Sequence, residues 1–311
     1  MARQLVLLGA PSSIGIRPYE DGQARRLDLA PGALREQGLA ARLGARDLGD
    51  VVPPPYVDFV RPGMQPRNER GVESYSRALA ARVAAAISDG AFVLVLGGDC
   101  SIVLGCLLGL RSGRDTRVGL AYVDAHADFG TPQESHTGSA ASMCLALAVG
   151  RGDTPLARLR SDGELVRTAD VALLARRDHD EPWYGHDALH ASAILDLPDA
   201  TVRERGVTGV ASAALERLGA IEGGFWIHVD TDVLDPRDVP AVDSPVPQGL
   251  RLAELEELLA PLVSHPRALG MELTIYDPAL DPQRTSAAAL ATMLERVLRD
   301  RFSARGDELG R

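Results

Sequence analysis

The stretch VGLAYVDAHAD, residues 118–128, decides the fold, because a short apolar run ends abruptly in acidic and imidazole side chains. The apolar part, residues 118–123, has the length and composition of a buried parallel strand. Successive side chains of a strand alternate between faces, so Asp124, His126 and Asp128 should point the same way wherever extended geometry persists. Anions held close together repel one another and are poorly solvated, which predicts a divalent metal ion among them.

Two other stretches have the same build. AFVLVL, residues 91–96, ends in GGDCS, residues 97–101, and FWIHV, residues 225–229, ends in DTD, residues 230–232. Ligands of open α/β sheets collect beyond the carboxyl ends of parallel strands. Three strand ends would therefore deliver one set of side chains to one rim. The predicted rim consists of Cys100, Asp124, His126, Asp128, Asp230 and Asp232.

Length and composition indicate an α/β protein with a large core. The chain has 311 residues and 45% hydrophobic content, which is enough to bury such a core. Strand-then-helix patterning recurs along the chain, and neither an internal repeat nor a linker composition divides it. We therefore expect a single α/β domain over residues 1–311.

Net charge and cysteine content indicate which classes of binding partner and which cellular compartment to expect. The formal net charge is −10, whereas phosphate binding needs clustered Lys and Arg, so neither nucleic acid nor an anionic membrane is an expected partner. No run of roughly 20 apolar residues could span a membrane, and MARQLVLLGA at the start lacks the features of a secretory signal. The cysteines have neither disulfide-scaffold nor zinc-ribbon spacing. A cytoplasmic enzyme with a small-molecule substrate is the expectation.

The remaining periodicity predicts the flanking elements. Further strands are expected at residues 5–9, 171–175 and 268–275, and helices at residues 33–43, 74–87, 140–149, 252–262 and 287–302. Residues 52–66 contain five prolines and no periodicity, which indicates a surface loop. The polar residues 129–139 directly follow the metal-binding strand, so we expect substrate contacts there.

Together the motifs resemble the ureohydrolase family of arginase, agmatinase, formiminoglutamase and their relatives. The resemblance begins at GAPSSIG, residues 9–15, and continues through GGDCS, DAHAD and HVDTDVLDP to GMELTIYDP, residues 270–278. DAHAD and DTDVLDP in this order and separation form a specific signal. The resemblance implies a three-layer, doubly wound, mostly parallel α/β sheet and two manganese ions per chain. It also implies a linear guanidino or amidino substrate and a homo-oligomer.

Carried over by motif, the resemblance assigns two bridging ligands and two further ligands to each metal ion. Asp124 and Asp230 would bridge the two ions. Cys100 and Asp128 would complete the ligands of the first ion, and His126 and Asp232 those of the second. Independently of the family, two divalent ions roughly 4 Å apart lower the pKa of a shared water, so hydroxide is available near neutral pH. That hydroxide would attack the amidine carbon. Protonation of the leaving amine would then release urea or a urea-like product.

Cys100 is the first departure from the family pattern, which usually reads GGDHS at this motif. A thiolate is a softer ligand than imidazole and is less suited to manganese. Three alternatives follow: one metal site is weak, it takes a softer ion such as zinc or iron, or Cys100 is a small buried residue and no ligand. A cysteine here resembles a subset of the family that includes a hydroxyarginine hydrolase.

Ile275 is the second departure, because arginases and agmatinases have a guanidinium-pairing glutamate at this position. Glu272, three residues earlier, would face the opposite side of a strand and is a poor replacement. Loss of a buried anion should weaken binding of a cationic guanidinium by roughly 2–4 kcal/mol. A less basic group would suffer less, which makes N-hydroxyarginine a candidate substrate.

The loop after DAHAD is the third departure, because an ungapped comparison puts Ala141 where arginases have a proton-shuttle histidine. His136 is the nearby candidate for this shuttle, and with Asp128 it completes the predicted catalytic pair. The candidate substrate contacts are Thr137, Ser139 and Asp180. The alternative for Asp180 is that it is an acidic residue of an exposed loop and has no binding role. His228 alternates with Asp230 along its strand and is a candidate support for a metal ligand.

A catalytically silent family member, acting as a binding or scaffold subunit, is the alternative function. Cys100, Ile275 and Ala141 are the features that favour it. The retained set of aspartates and histidine argues against it, since carboxylates without metal would destabilise the fold by mutual repulsion.

Overall fold

A computed structural model describes residues 3–57, 64–114, 116–181 and 185–302. The strands in these ranges are β1 Leu5–Gly9, β2 Arg46–Asp50, β3 Phe92–Leu96, β4 Gly119–Val123, β5 Val171–Leu174, β6 Leu195–Leu197, β7 Phe225–Asp230 and β8 Ala268–Thr274. They form one eight-stranded sheet in the order β2-β1-β3-β8-β7-β4-β5-β6. Every neighbouring pair is parallel. All carboxyl ends therefore lie along one edge of the sheet.

The helices of the described residues cover this sheet in two groups. They are α1 Ala30–Glu36, α2 Leu39–Leu43, α3 Glu69–Ser88, α4 Ile102–Arg111, α5 Cys144–Ala148, α6 His186–His190, α7 Asp199–Leu218, α8 Leu252–Ser264 and α9 Thr285–Phe302. Helix α4 contacts α3 and α5, while α1 and α2 contact α9, which packs on α8 and through it on α7. Two helical layers are what a fully buried parallel sheet requires. Across the described ranges, no helix combines the length and apolarity needed to cross a bilayer.

The central strands are apolar because both of their faces are covered. Strands β1, β3, β4, β5, β7 and β8 are buried along their whole length. The edge strand β2, in contrast, is exposed at all but one position. Its polar sequence explains why the apolar pattern did not predict it.

Helix α4 packs closely on α3 because it carries glycine at two positions facing that helix. A Cβ on Gly105 would lie 2.9 Å from the carbonyl oxygen of Ser76, and one on Gly109 would lie 2.7 Å from that of Ala80. Larger residues would push the helices apart. This packing fixes α4, and with it the turn between β3 and α4.

The predicted three-layer, mostly parallel fold is confirmed, and every described neighbour pair in the sheet is parallel. The single helix predicted at residues 33–43 is wrong: α1 and α2 are separate helices, because Gly38 adopts a left-handed conformation with φ 71°. The helix predicted at residues 140–149 begins as a 3₁₀ turn, Ala140–Met143, before α5. Of the proline-rich loop at residues 52–66, residues 58–63 lie outside the described ranges.

Candidate metal centre

The turn after β3 is held by backbone contacts that require glycine. The Gly97 N–H donates to the carbonyl oxygen of Leu273 at 2.9 Å, and the carbonyl of Gly98 accepts from the N–H of Ile275 at 2.8 Å. A Cβ on Gly98 would lie 1.8 Å from the carbonyl oxygen of Ser12. The turn therefore fits between the end of β8 and the loop after β1 only without side chains.

Asp99 ties this turn to the GAPSSIG loop. Its buried carboxylate accepts hydrogen bonds from the Ser12 hydroxyl at 2.6 Å, the Gly15 N–H at 3.1 Å and the Ser101 N–H at 3.0 Å. These bonds fix the position of the neighbouring Cys100. No role was predicted for Asp99 from the sequence, although its position next to the candidate ligand Cys100 was a usable signal.

Cys100 is buried in the turn and contacts the end of β7. Its Sγ donates to Asp230 Oδ2 at 2.8 Å and lies 3.3 Å from the Thr274 hydroxyl. Burial raises the pKa of the Cys100 thiol, and a contact with Cys144 and the charge of Asp230 raise it further. Without a metal this cysteine is therefore a neutral thiol, and a bound cation would have to displace its proton.

The segment after β4 brings together a second set of donors. Asp124 Oδ1 accepts from the His126 N–H at 2.7 Å, and His126 Nδ1 lies 3.0 Å from Asp232 Oδ2. Asp232 Oδ1 in turn accepts from the Ala125 N–H at 3.2 Å. Extended geometry does not continue past Val123, so turn hydrogen bonds, and not strand alternation, bring these side chains together.

The D-x-D segment at the end of β7 is a tight turn. Asp230 Oδ1 accepts from the Asp232 N–H at 2.8 Å, and the Thr231 hydroxyl donates to the carbonyl oxygen of Thr274 at 2.8 Å. Both aspartates thus face the ends of the neighbouring strands, and all of these side chains are buried.

Arg177 braces this turn from the loop after β5. Its guanidinium donates to the carbonyl oxygens of Asp232 at 2.6 Å, Val233 at 3.0 Å and Val246 at 2.8 Å. No role was predicted for Arg177 from the sequence. Because these donors are engaged by backbone carbonyls, Arg177 holds the shape of the turn without forming hydrogen bonds that would neutralise the rim carboxylates.

Burial and mutual repulsion raise the pKa values of three carboxyl groups of the rim. Burial and the negative charge of Asp124 raise the pKa of Asp128 to about 8. Burial also raises the pKa of Asp230, as do the charges of Asp232 and Asp124, and it raises the pKa of Asp232. Carboxyl groups in this condition take up protons unless a cation replaces them.

Asp124 has the opposite shift because imidazoles surround it. Burial alone would raise its pKa, but the neighbouring imidazoles of His126 and His228 outweigh burial and lower it. Asp124 is therefore ionised at neutral pH.

A row of buried polar side chains crosses three strands directly below the rim. Tyr122 on β4, His228 on β7 and Glu272 on β8 are cross-strand neighbours. The Tyr122 and His228 rings stack with centroids 4.2 Å apart, and His228 Nδ1 lies 2.8 Å from Glu272 Oε1. From the sequence, His228 was predicted to support a ligand, whereas Glu272 was considered only as a replacement for the glutamate missing at Ile275.

Two groups of donor atoms in the described residues have the spacing of metal ligands. Within each group the atoms all lie within 4.8 Å of one another, and Asp124 belongs to both. The first group consists of Cys100, Asp124, His228 and Asp230, and the second of Asp124, His126 and Asp232. The mixed sulfur, nitrogen and oxygen donors fit divalent transition metals.

Asp128 lies in neither of these groups. Its backbone has a positive φ of 47°, and its Oδ2 accepts from the Tyr122 hydroxyl at 2.7 Å and from Cys144 Sγ at 3.3 Å. Its predicted roles as metal ligand and catalytic residue therefore remain predictions. Its raised pKa reflects burial and the negative charge of Asp124.

The predicted substrate residues lie in the polar loops beyond the rim. The buried Ser139 hydroxyl accepts from the Arg17 N–H at 3.0 Å, and the half-buried Thr137 hydroxyl accepts from the Ser139 N–H at 3.2 Å. His136 and Asp180 are exposed. Asp180 lines a cavity of about 540 Å³ together with Glu134, Arg151, His179 and His186.

The sequence and the structure of the whole chain are similar to those of known proteins of one family. The sequence pattern of the arginase family matches residues 3–298. The arginase of Bacillus caldovelox is 31% identical over 290 residues, which cover 91% of this chain and 96% of that protein. The arginase of Bacillus subtilis is 29% identical over 293 residues, covering 92% and 97%. The native Bacillus caldovelox arginase structure matches with a TM-score of 0.85 at 27% identity, covering 95% of this chain and 98% of that one.

Proposed function

The chain belongs to the arginase family, and from this premise we propose that it is a binuclear metal-dependent hydrolase that cleaves a C–N bond of a linear guanidino or amidino compound. The product would be urea or a urea-like molecule. The observation that carries the proposal is the pair of buried donor groups that share Asp124. A catalytically silent scaffold would have no need to keep this costly arrangement of charges.

The donor atoms support metal binding by their lack of other partners. Asp124 Oδ2 and His228 Nε2 are buried without a hydrogen-bond partner in the described part of the chain. Leaving such atoms unsatisfied costs about 1–3 kcal/mol each. A cation at the rim would satisfy the atoms that face it. When bound, two divalent ions would act as Lewis acids and make hydroxide available near neutral pH.

The residues of the chain would hold and orient the reacting groups. Asp230 and Asp232 are fixed by the turn that Arg177 braces, so they present their oxygens without reorganisation. We propose that His136 carries the proton to the leaving amine from the exposed loop. Asp128, with its raised pKa, is the second proposed catalytic group. The proposed substrate contacts are Thr137 and Ser139 for a carboxylate and Asp180 for an amino group.

The end of β8 supports a substrate less cationic than arginine. Ile275, where arginases have a glutamate, is buried. The next carboxylate, Asp277, already accepts from the N–H groups of Arg26 at 3.1 Å and Ala279 at 2.9 Å. Asp243 is paired with Arg25. Because these carboxylates are engaged, we propose N-hydroxyarginine or a similar weakly basic compound as the substrate.

The release of urea, or of N-hydroxyurea when the substrate is N-hydroxyarginine, tests this function with four compounds. The protein is demetallated with a chelator, reloaded with manganese, and supplied with arginine, agmatine, 4-guanidinobutyrate or N-hydroxyarginine. We expect activity only after reloading and the highest kcat/KM with N-hydroxyarginine. Full activity after metal removal, or no turnover of any of the four compounds with two metals bound, would contradict the hydrolase. Faster turnover of arginine would contradict the substrate alone.

We further propose that each chain binds two manganese ions and that the position at Cys100 binds manganese more weakly than the other. We also propose that the chain folds as one α/β domain and forms a homo-oligomer in the cytoplasm. The thiol in the first donor group supports the difference between the two positions. Metal analysis by mass spectrometry gives the stoichiometry, and light scattering gives the subunit number. Fewer than two metals at saturation, or a monomer, would contradict the corresponding statement.

A further inference from the structure

His228 is a fully buried histidine in the middle of the sheet, beside the thiol of Cys100. Its side chain has no exposed surface, and its Nε2 lies 3.8 Å from Asp124 Oδ2. One atom each of Cys100, Asp124, His228 and Asp230 lie within 4.8 Å of one another. A buried imidazole beside these donor atoms requires a physical explanation, because burial of an ionisable group without a partner is costly.

The surroundings of His228 fix which nitrogen faces the rim. Nδ1 lies 2.8 Å from Glu272 Oε1, and the Tyr122 ring stacks on the imidazole at 4.2 Å. The carboxylate therefore holds a proton on Nδ1, and the stacked ring fixes the plane. Metal-ligating histidines almost always donate their other N–H to a carboxylate or carbonyl in this way. The Nε2 atom is left to face Asp124.

The facing atoms are both without partners in the described ranges. Neither His228 Nε2 nor Asp124 Oδ2 forms a hydrogen bond there. A simple ion pair would bring them to about 2.7–2.9 Å, whereas they lie 3.8 Å apart. The gap is too long for a hydrogen bond. A cation that contacts both atoms explains why both are buried and neither is paired.

We propose that His228 is a ligand of the metal ion at Cys100, so that this position combines a thiolate, an imidazole and two carboxylates. Such a donor set suits zinc or a similar borderline-soft divalent ion. The second position, with Asp124, His126 and Asp232, has no sulfur. The inference rests on the proposed function only in requiring that the rim bind metal. The competing explanation is a buried imidazolium that balances Asp124 and Glu272 without touching a metal.

Zinc X-ray absorption of a His126→Asn variant separates these explanations. His126 supplies the imidazole of the other donor group, so its removal leaves His228 as the imidazole available within the two groups. The full chain is loaded with zinc and measured at the zinc edge. We expect both sulfur and imidazole scattering in His126→Asn. In His126→Asn/His228→Asn we expect the sulfur signal to persist and the imidazole signal to disappear.

Each outcome has a definite meaning. Zinc bound to His126→Asn through sulfur and oxygen without imidazole would overturn the role of His228 and leave the proposed hydrolase intact. Imidazole scattering that survives in the double variant would also overturn it. A wild-type protein that binds no zinc and no manganese would overturn both proposals. Far-UV circular dichroism verifies folding, and the His126→Asn result decides the question even if the double variant does not fold.

Glu272→Gln gives a second measurement in an otherwise intact rim. Glutamine still accepts a hydrogen bond from Nδ1 but lacks the charge that makes the imidazole a stronger ligand. Loss of such a partner typically weakens metal binding roughly 10-fold to 100-fold, and we expect this loss in zinc affinity. His265→Asn, at the end of α8 and away from the rim, is the matched control and should bind zinc like the wild type. Unchanged affinity in Glu272→Gln would overturn the inference.

Discussion

At the scale of single residues, Asp232 and Asp235 follow the same strand but have different surroundings. Asp232 belongs to the second donor group and contacts His126. Asp235 accepts from the N–H groups of Arg237 at 2.9 Å and Gln248 at 3.0 Å, as an aspartate in a turn does. The two positions therefore form a matched pair for mutation.

We expect Asp232→Asn to lose one metal ion and to lower kcat/KM at least roughly 100-fold, because the metal ions generate the nucleophile. Asp235→Asn should keep both metals and most of the activity while lowering the free energy of unfolding by about 1 kcal/mol through weaker turn hydrogen bonds. Metal analysis, steady-state kinetics and urea denaturation measure these effects. Equal losses of activity in both variants would show that Asp232 acts only through the turn.

The raised pKa of Asp128 predicts how pH affects the stabilisation by metal. Its pKa is about 8 when folded and metal-free, above its ordinary value of 3.8. Between these values the folded chain holds a proton that the unfolded chain has lost. The stability that this group contributes is thus complete at low pH and is lost as pH rises towards 8. A metal ion that neutralises the ionised carboxylate relieves this loss, and it binds more strongly as pH rises because fewer protons compete with it.

We therefore expect saturating manganese to increase the free energy of unfolding more at pH 8 than at pH 6, by roughly 1–3 kcal/mol for one displaced proton. Urea denaturation with manganese and with chelator at each pH gives the difference. Asp128→Asn, which has no proton to lose, should reduce it. An increase that is equal or smaller at pH 8 would contradict the prediction.

At this scale the sequence predicted residue types better than contacts. Asp124, His126, Asp230 and Asp232 lie close together, because the segments that carry them follow the carboxyl ends of neighbouring parallel strands. Cys100 joins them with His228, which the sequence analysis had placed only in a supporting role. The contacts of a side chain below the rim depend on the register between strands, and no local pattern encodes that register.

At the scale of elements, the turn after β3 depends on the lack of a side chain at Gly98. We expect Gly98→Ala to lower the free energy of unfolding by roughly 3 kcal/mol or more, because its Cβ would meet the Ser12 backbone at 1.8 Å. Gly32→Ala in α1 is the control: a Cβ there has no described neighbour within 4 Å, and alanine favours the helix by up to about 1 kcal/mol. Thermal denaturation of both variants measures this. Similar midpoints would contradict the packing.

Elements with a strong apolar signal were predicted well, and those without one were not. Strand β1 begins and ends where the sequence predicts, since both of its faces are buried. Strand β2 was missed because it is an exposed edge strand with mostly polar residues, of the kind that protects sheets from pairing with other chains. The break between α1 and α2 was missed because the conformation of Gly38, and not a change in hydrophobic pattern, causes it.

At the scale of the whole molecule, the metal ions should stabilise the edge of the sheet to which the ligands belong. We expect metal removal to lower the melting temperature, since a ligand at 100 times its Kd adds about 2.7 kcal/mol to the free energy of unfolding. Hydrogen exchange should accelerate at residues 97–101, 124–128 and 228–232 and stay unchanged inside α3. Uniform acceleration across the chain, or none, would contradict a local role for the metals.

The fold class followed from the sequence, whereas the strand order did not. Strands β8 and β7 come late in the chain yet pair between β3 and β4. Each strand's apolar character shows that it is central but not which strands are its neighbours, because pairing depends on packing across long separations. The resemblance to a family, more than periodicity, made the layered architecture predictable.

The contact between Cys100 and Asp230 spans 130 positions of the chain. A ribosome must therefore have released β7 before the first metal position can exist, and a growing polypeptide that has reached only α5 can offer just part of the ligand set. We therefore expect the cation at the first position to bind only once synthesis of the chain has passed β7.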